Sequence, residues 1–214
     1  MKMRQRPRPA RVARLRKSMT GRTVLLCGPD GTGKSTLAAG LVRSLAATRP
    51  VKHVHHRAPV LPKRTVETVT RPHGRPPYAR WLSLLKLGYL FVDVALGWRF
   101  QIRPFIRSGG WLVTERGWWD LAVDPRRYRL DVPTSLIRQL GRLVPRPDLV
   151  LVLDAPVAAV LARKSELDGY ELTRQMDLWR TVLPKRLKVV FLDATRSIDV
   201  ILVDALAAIL KIEP

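Results

Sequence analysis

The sequence predicts an α/β fold: a five-stranded parallel sheet with helices on both faces. Three observations carry this. Short apolar runs alternate with longer stretches of helical periodicity along most of the chain, the pattern of parallel strands joined by crossover helices. A glycine-rich turn separates the first apolar run from the first helix. The 214 residues, 46% of them hydrophobic, can build one core of this kind.

Residues 1–20, MKMRQRPRPARVARLRKSMT, hold no acid, two prolines and little apolar content. They predict a basic disordered arm, with the folded domain spanning 21–214. The later part of the arm, ARVARLRK, also has the composition of a basic helix for a polyanion or an anionic membrane surface. TVLLC (23–27) is the first strand, and LAAGLVRSLAA, from Leu37, the first helix. VKHVHH (51–56) reads as the second strand. Alternation puts His53 and His55 on one face and His56 on the other, and with no cysteine or matching acid pair nearby the three read as a surface feature rather than a metal site. RAPVLPKRTVETVTRPHGRPP follows as a long functional loop with a short helix around Val66. Residues 78–109 read as a long helical region. Apolar positions dominate 81–96 and predict burial, Asp93 and Arg99 interrupt, and Pro104 kinks the helix or begins a new turn. GWLVTE (110–115) is the third strand, RGWWDLAVDPRRYRLD a polar, aromatic loop, and PTSLIRQLGRLV a helix. Residues 149–153 form the fourth strand, followed by helix, charged connection and helix. LKVVFLDA holds the fifth strand and SIDVILVDALAAILK the closing helix. No internal repeat is visible.

A net charge of +22, mostly arginine, is open to three readings: solvated arginine-rich composition, affinity for a polyanion or anionic membrane, or a site for several phosphates. The single cysteine, Cys27, lies in the first strand and reads as a small buried hydrophobe. No apolar run approaches the roughly 20 residues of a membrane span, and the basic N-terminus lacks the apolar stretch of a secretory signal. The expected location is cytoplasmic.

The turn after the first strand, GPDGTGKS (28–35), has the spacing of a phosphate-binding loop in the required strand–loop–helix setting. Gly28, Gly31 and Gly33 let successive N–H groups point inward, where they join the N-terminus of the next helix in an anion cradle. Lys34 reaches the β- and γ-phosphates, and the Ser35 hydroxyl can coordinate Mg²⁺. With Asp30, Thr32 and Thr36 these residues form the expected nucleotide-binding set. Ligands of such sheets bind at the carboxyl ends of the strands. Those ends carry Arg57 after strand two, Glu115 and Arg116 after strand three, Asp154 after strand four, and Arg163 and Lys164 one helix later. An acid-rich and arginine-rich rim is the mixture that phosphoryl transfer between anions needs.

GPDGTGKST, TERGWWD, PDLVLVLDAP and LDATRSIDV, in this order from Gly21 to the C-terminus, resemble the thymidylate kinase-like family. The resemblance implies ATP as donor, Mg²⁺, and a mobile lid at about 163–172 between the two helices after strand four. It places Lys34 and Ser35 on the triphosphate and metal positions and Asp30 on the loop acid facing the acceptor sugar. Gly31 stands where some members carry an arginine, which resembles the subclass with a lid arginine. Arg163 and Lys164 are then the lid candidates, with Arg174 a further one. Arg57 and Arg103 match acceptor-side arginines. Glu115 is assigned to Mg²⁺, directly or through water, and Arg116 to the acceptor's anionic group. The family's usual Asp-Arg-aromatic is here Glu115-Arg116-Gly117, and DLAVDPRRYR resembles a divergent bacterial branch. The implied activity is ATP-dependent phosphoryl transfer to a nucleoside monophosphate, dTMP first. The alternatives are a non-nucleotide acceptor such as a sugar, and a nucleotide-gated protein acting on polyanions. A homodimer is a further expectation.

Overall fold

The computed structural model describes residues 21–56, 58–61, 73–163 and 168–212. The arm, Arg57, the helix expected at Val66 and Lys164 lie outside the described residues. The elements run β1 (Thr23–Cys27), α1 (Lys34–Ala46), β2 (Val51–Val54), α2 (Arg80–Gly97), a π-helical turn (Trp98–Ile102), α3 (Arg103–Arg107), β3 (Trp111–Glu115), α4 (Asp120–Val123), a 3₁₀ turn (Arg126–Tyr128), α5 (Thr134–Leu140), β4 (Leu149–Asp154), α6 (Val157–Arg163), α7 (Gly169–Val182), β5 (Val189–Asp193) and α8 (Ile198–Leu210). The five strands pair in parallel in the order β2-β3-β1-β4-β5. β1 is thus central, and the loop that follows it opens at the middle of the sheet's carboxyl edge.

Period-two alternation divides the core. Val24 and Leu26 of β1 and Leu149, Leu151 and Leu153 of β4 face α1 and α8. Leu25 and Cys27, with Val150 and Val152, face α2, α4 and the end of α7. Neighbouring residues of one strand therefore serve opposite layers, which is why 24–27 and 149–153 are apolar without a break. Cys27 is fully buried, and burial pushes its thiol pKa up.

Two sequence expectations are corrected. Residues 81–96 are not mostly buried: α2 fully buries only Ser83, Leu87, Leu90, Asp93 and Gly97, with Phe91 and Val94 partly buried against the same core. Trp81 and Leu85 stay 63% and 64% exposed and Val92 46%. A helix that is apolar all round does not declare which face meets the sheet. By length and composition the stretch Arg80–Arg107, with mean hydropathy 1.3 in its most apolar window, would also suffice to cross a bilayer. The loop expected after β3 is in turn a buried corner, with Trp118, Trp119, Leu121, Ala122 and Val123 in the core. Asp93, fully buried on α2, accepts the Val60 and Leu61 amides at 2.8 Å each and ties residues 58–61 to the helix.

Candidate active site

β1 delivers the glycine-rich loop. Gly28, Gly31 and Gly33 all have positive φ, 134°, 89° and 88°. At Gly28 a Cβ would lie 2.7 Å from the Leu153 carbonyl oxygen, so the first turn needs glycine for space as well as for dihedral angle. Thr32 Oγ1 donates to the Pro29 carbonyl at 2.8 Å and closes the turn. Thr36 is exposed at the start of α1. Lys34 is 6% exposed, and its Nζ donates to the carbonyls of Gly28 (2.8 Å) and Pro29 (2.6 Å) and lies 3.4 Å from Asp30 Oδ1. Burial pulls the Lys34 pKa down, and Asp30 opposes that pull.

β3 lies beside β1 and carries Glu115 to the same edge. Glu115 is 2% exposed; its Oε2 accepts from Ser35 Oγ at 2.5 Å. The two residues expected to share a metal ion are therefore in contact. An all-oxygen pair of hydroxyl and carboxylate suits a hard cation such as Mg²⁺. His53 Nε2 lies 2.8 Å from Glu115 Oε1 and His55 Nδ1 3.6 Å from Oε2. The alternation seen in the sequence was sound, but its consequence was missed: β2 pairs with β3, so the shared face of the two histidines points at the carboxylate.

Arg116 follows Glu115 with φ 67°, a left-handed conformation unusual for a residue with a side chain. Two bonds hold it there: its N–H donates to the Leu26 carbonyl at 3.0 Å, and the next amide, Gly117 N–H, donates to Asp120 Oδ2 at 2.7 Å. This bend turns the guanidinium toward β1, where its Nη2 meets Asp30 Oδ1. Arg127, from the 3₁₀ turn, brings Nη1 to the other oxygen, Asp30 Oδ2, at 2.5 Å. Burial would raise the Asp30 carboxyl, but Lys34, Arg116 and Arg127 together outweigh it and hold the group well below the ordinary carboxylate range. Asp120 is the opposite case. Burial pushes it up to about 6, against the Gly117 amide and the charges of Arg116, Lys34 and Arg127. Asp30, Arg116, Asp120, Asp124, Arg127 and Tyr128 line one narrow cleft beside the loop, closed below by Gln175 and Trp179 of α7.

The remaining expected residues lie elsewhere. Arg103 opens α3, whose Ile106 carbonyl accepts from Gly21 N–H just ahead of β1. It sits at the amino ends of the strands, so its acceptor-side role is withdrawn: the long helical region has by then run back across the sheet. Arg163 ends α6 and donates to the Ala194 carbonyl beyond β5 at 2.8 Å, away from the Asp30 cluster. Arg174 pairs with Glu171 and donates to the Val123 carbonyl at 2.8 Å, bracing α7 against α4. The segment expected as a lid ends inside α7, since residues 169–172 form its first turn, capped by Asp168, which accepts Glu171 N–H at 2.7 Å. Asp154 pairs with Arg180 at 2.8 Å. Arg127 and Asp120 were not anticipated. Arg127 is one of three arginines in RRYR, and spacing alone does not pick out the inward one; Asp120, three residues past Gly117, has the offset at which a side chain reaches back to the first amide of a helix start, a signal that was present.

No protein-family model matches the chain, and no curated protein sequence does either. Solved structures do match. The thymidylate kinase of Ehrlichia chaffeensis aligns with a TM-score of 0.61 at 16% identity, over 88% of this chain and 98% of that one. The thymidylate kinase of Candida albicans aligns with a TM-score of 0.62 at 16% identity, over 90% and 92%. The five-stranded parallel α/β fold with a phosphate-binding loop is therefore a thymidylate kinase-like fold.

Proposed function

We propose that the protein transfers the γ-phosphoryl group of ATP, with Mg²⁺, to a small anionic acceptor held beside Asp30. The observation that supports this best is the convergence of three separate segments on one edge: Lys34 and Ser35 from the loop, Glu115 with Arg116 from β3, and Arg127 from the 3₁₀ turn. The loop amides and Lys34 suit the β- and γ-phosphates. Ser35 and Glu115 would hold Mg²⁺, which when bound neutralises charge on the phosphates. Arg116 and Arg127 orient the acceptor and offset the charge that builds between donor and acceptor oxygens. Among anionic acceptors a nucleoside monophosphate, dTMP first, is the class suggested by the thymidylate kinases that share the fold.

One observation favours a second reading, a hydroxyl acceptor such as a sugar. Asp30 engages both guanidinium groups at once, so part of their charge is already offset before a phosphate arrives. Labelled ATP and a panel of nucleoside monophosphates, nucleosides and sugars tests both. Labelled product from dTMP or its relatives supports the first reading, and from a neutral alcohol the second. ATP binding with no transfer to any member overturns both.

A further inference from the structure

A cavity of about 130 Å³ lies under α2, next to the arginine-acid cleft. Its walls are Leu25 and Leu112 of the sheet, Leu90 and Val94 of α2, and Trp98 and Ile102 of the π-helical turn. π-Helical turns widen a helix locally and recur at functional sites. Arg116 forms a wall of this cavity and of the cleft that holds Asp30. His56 also lines the cavity, and its ring stacks at 5.2 Å on Tyr128, which lines the cleft. The two spaces are therefore neighbours.

Three of the polar side chains in the cavity wall are already bonded. Thr23 Oγ1 donates to Asp148 at 2.8 Å, Trp118 Nε1 to the Ile137 carbonyl at 2.8 Å, and Thr114 Oγ1 to the Val24 carbonyl at 3.5 Å. Arg116 Nε, buried and without a hydrogen-bond partner among the described residues, is left to meet an anionic group, while the rest of the wall is mostly apolar and offers a nucleobase edge little to pair with, which is unfavourable. The roof is held in place at some cost. Buried Asp93 fixes the Val60 and Leu61 amides, and Gln101 Nε2 donates to the Pro59 carbonyl at 2.8 Å. Gly97 admits the Ala58 carbonyl, which would come within 2.1 Å of a Cβ there. An apolar cavity of about 150 Å³ holds a benzene molecule.

We infer that this cavity receives the apolar body of the acceptor, a phosphomonoester whose organic part is about one ring or a short branched alkyl chain, with its phosphate against Arg116. The inference rests on the phosphoryl-transfer reading and narrows it. An acceptor phosphate oxygen bonds to the γ-phosphorus of ATP, the bond to the β–γ bridging oxygen breaks, and ADP leaves with that electron pair. Selection is by shape and apolar contact, so a nucleotide is a poorer ligand than an aryl or alkyl phosphate.

The test is equilibrium binding to the full chain, read by calorimetry and by tryptophan fluorescence, with phenyl phosphate and 3-methylbutyl phosphate against inorganic phosphate and dTMP. Phenyl phosphate is expected to bind at least about tenfold tighter than inorganic phosphate and tighter than dTMP. Val94→Phe, which fills the cavity, should weaken phenyl phosphate by about tenfold and leave ATP affinity unchanged. Benzene should compete with phenyl phosphate on the unaltered protein, which keeps the test sound if Val94→Phe melts early. Equal affinity for phenyl and inorganic phosphate, tighter binding of dTMP, or no competition by benzene overturns the assignment. Phenyl phosphate that binds in a benzene-sensitive way but takes no label from ATP supports the cavity assignment and rejects phosphoryl transfer.

Discussion

The two sides of the crevice are built in opposite ways. On the proposed donor side the site is eight consecutive residues, 28–35, built chiefly from backbone: three glycines at positive φ and the amides that begin α1. On the proposed acceptor side, Asp30, Arg116, Asp120 and Arg127 arrive from three segments and meet through side chains. The first kind of site is written as a spacing. The second exists only after the sheet has set β3 beside β1. A chain can therefore keep its donor side recognisable while its acceptor side is rebuilt.

The sharpest way to break this comparison is Lys34→Ala. If the donor side acts as a unit, ATP turnover should fall about 10³-fold, the scale of losing one preorganised transition-state donor, with the fold retained by circular dichroism. Unchanged steady-state transfer in a folded variant would rule out the kinase reading.

Next comes Asp120. Its carboxyl, pushed up to about 6 by burial, keeps its proton in the folded state above the pH at which the unfolded chain releases it. Between about pH 4 and 6 the folded state thus binds more protons, and stability falls as pH rises through that window. Asp120→Asn removes this term. Relative to the unaltered protein it should gain on the order of 3 kcal/mol from pH 4 to pH 7. Asp30 contributes in the opposite sense, keeping stability above its unfolded value and losing it only in acid, but it is common to both proteins. Urea unfolding of the pair at the two pH values reads the difference, and parallel curves would contradict the assigned titration.

Glu115→Gln sharpens the boundary between the two sides, since Glu115 touches Ser35 of one and adjoins Arg116 of the other. The amide should raise the Mg²⁺ requirement and lower turnover by about 10- to 100-fold, the usual range for a metal site's supporting groups. A Mg²⁺ titration that superimposes on the parent, with a lowered melting temperature, would make the residue structural. The smallest effect belongs to Arg127→Ala. Arg116 still reaches Asp30, so the acceptor KM should rise about tenfold with little change in kcat. A loss confined to kcat would instead put Arg127 on the transferring phosphoryl group.

How much of this was legible follows the same division. Residues 23–27 predicted a buried strand, and β1 occupies those positions, because a strand buried on both faces is apolar throughout. Ser35 and Glu115, both assigned to Mg²⁺ from the rule that ligands gather at strand ends, are in contact. Arg103 was misplaced because helical periodicity gives no end point in space; the chain from Arg80 to Arg107 crosses the sheet and takes the arginine with it. The histidines of β2 were read as surface features because strand order is not contained in strand composition: only the β2–β3 pairing aims them at Glu115. Asp120 was passed over because a carboxylate three residues after a glycine looks like solvent-facing loop until two tryptophans beside it go into the core.

Lys34 already has its ammonium seated on the carbonyls of its own loop. An arriving triphosphate does not meet a vacant cation; it must exchange for two ties that the resting protein has made. The loop thereby keeps its shape with no nucleotide present, and only the difference between old and new bonds appears as affinity. A nucleotide that lacks the outer phosphates offers nothing to exchange and leaves the lysine where it rests. Thermal protection should therefore rise in a step between AMP and ADP rather than evenly with each added phosphate.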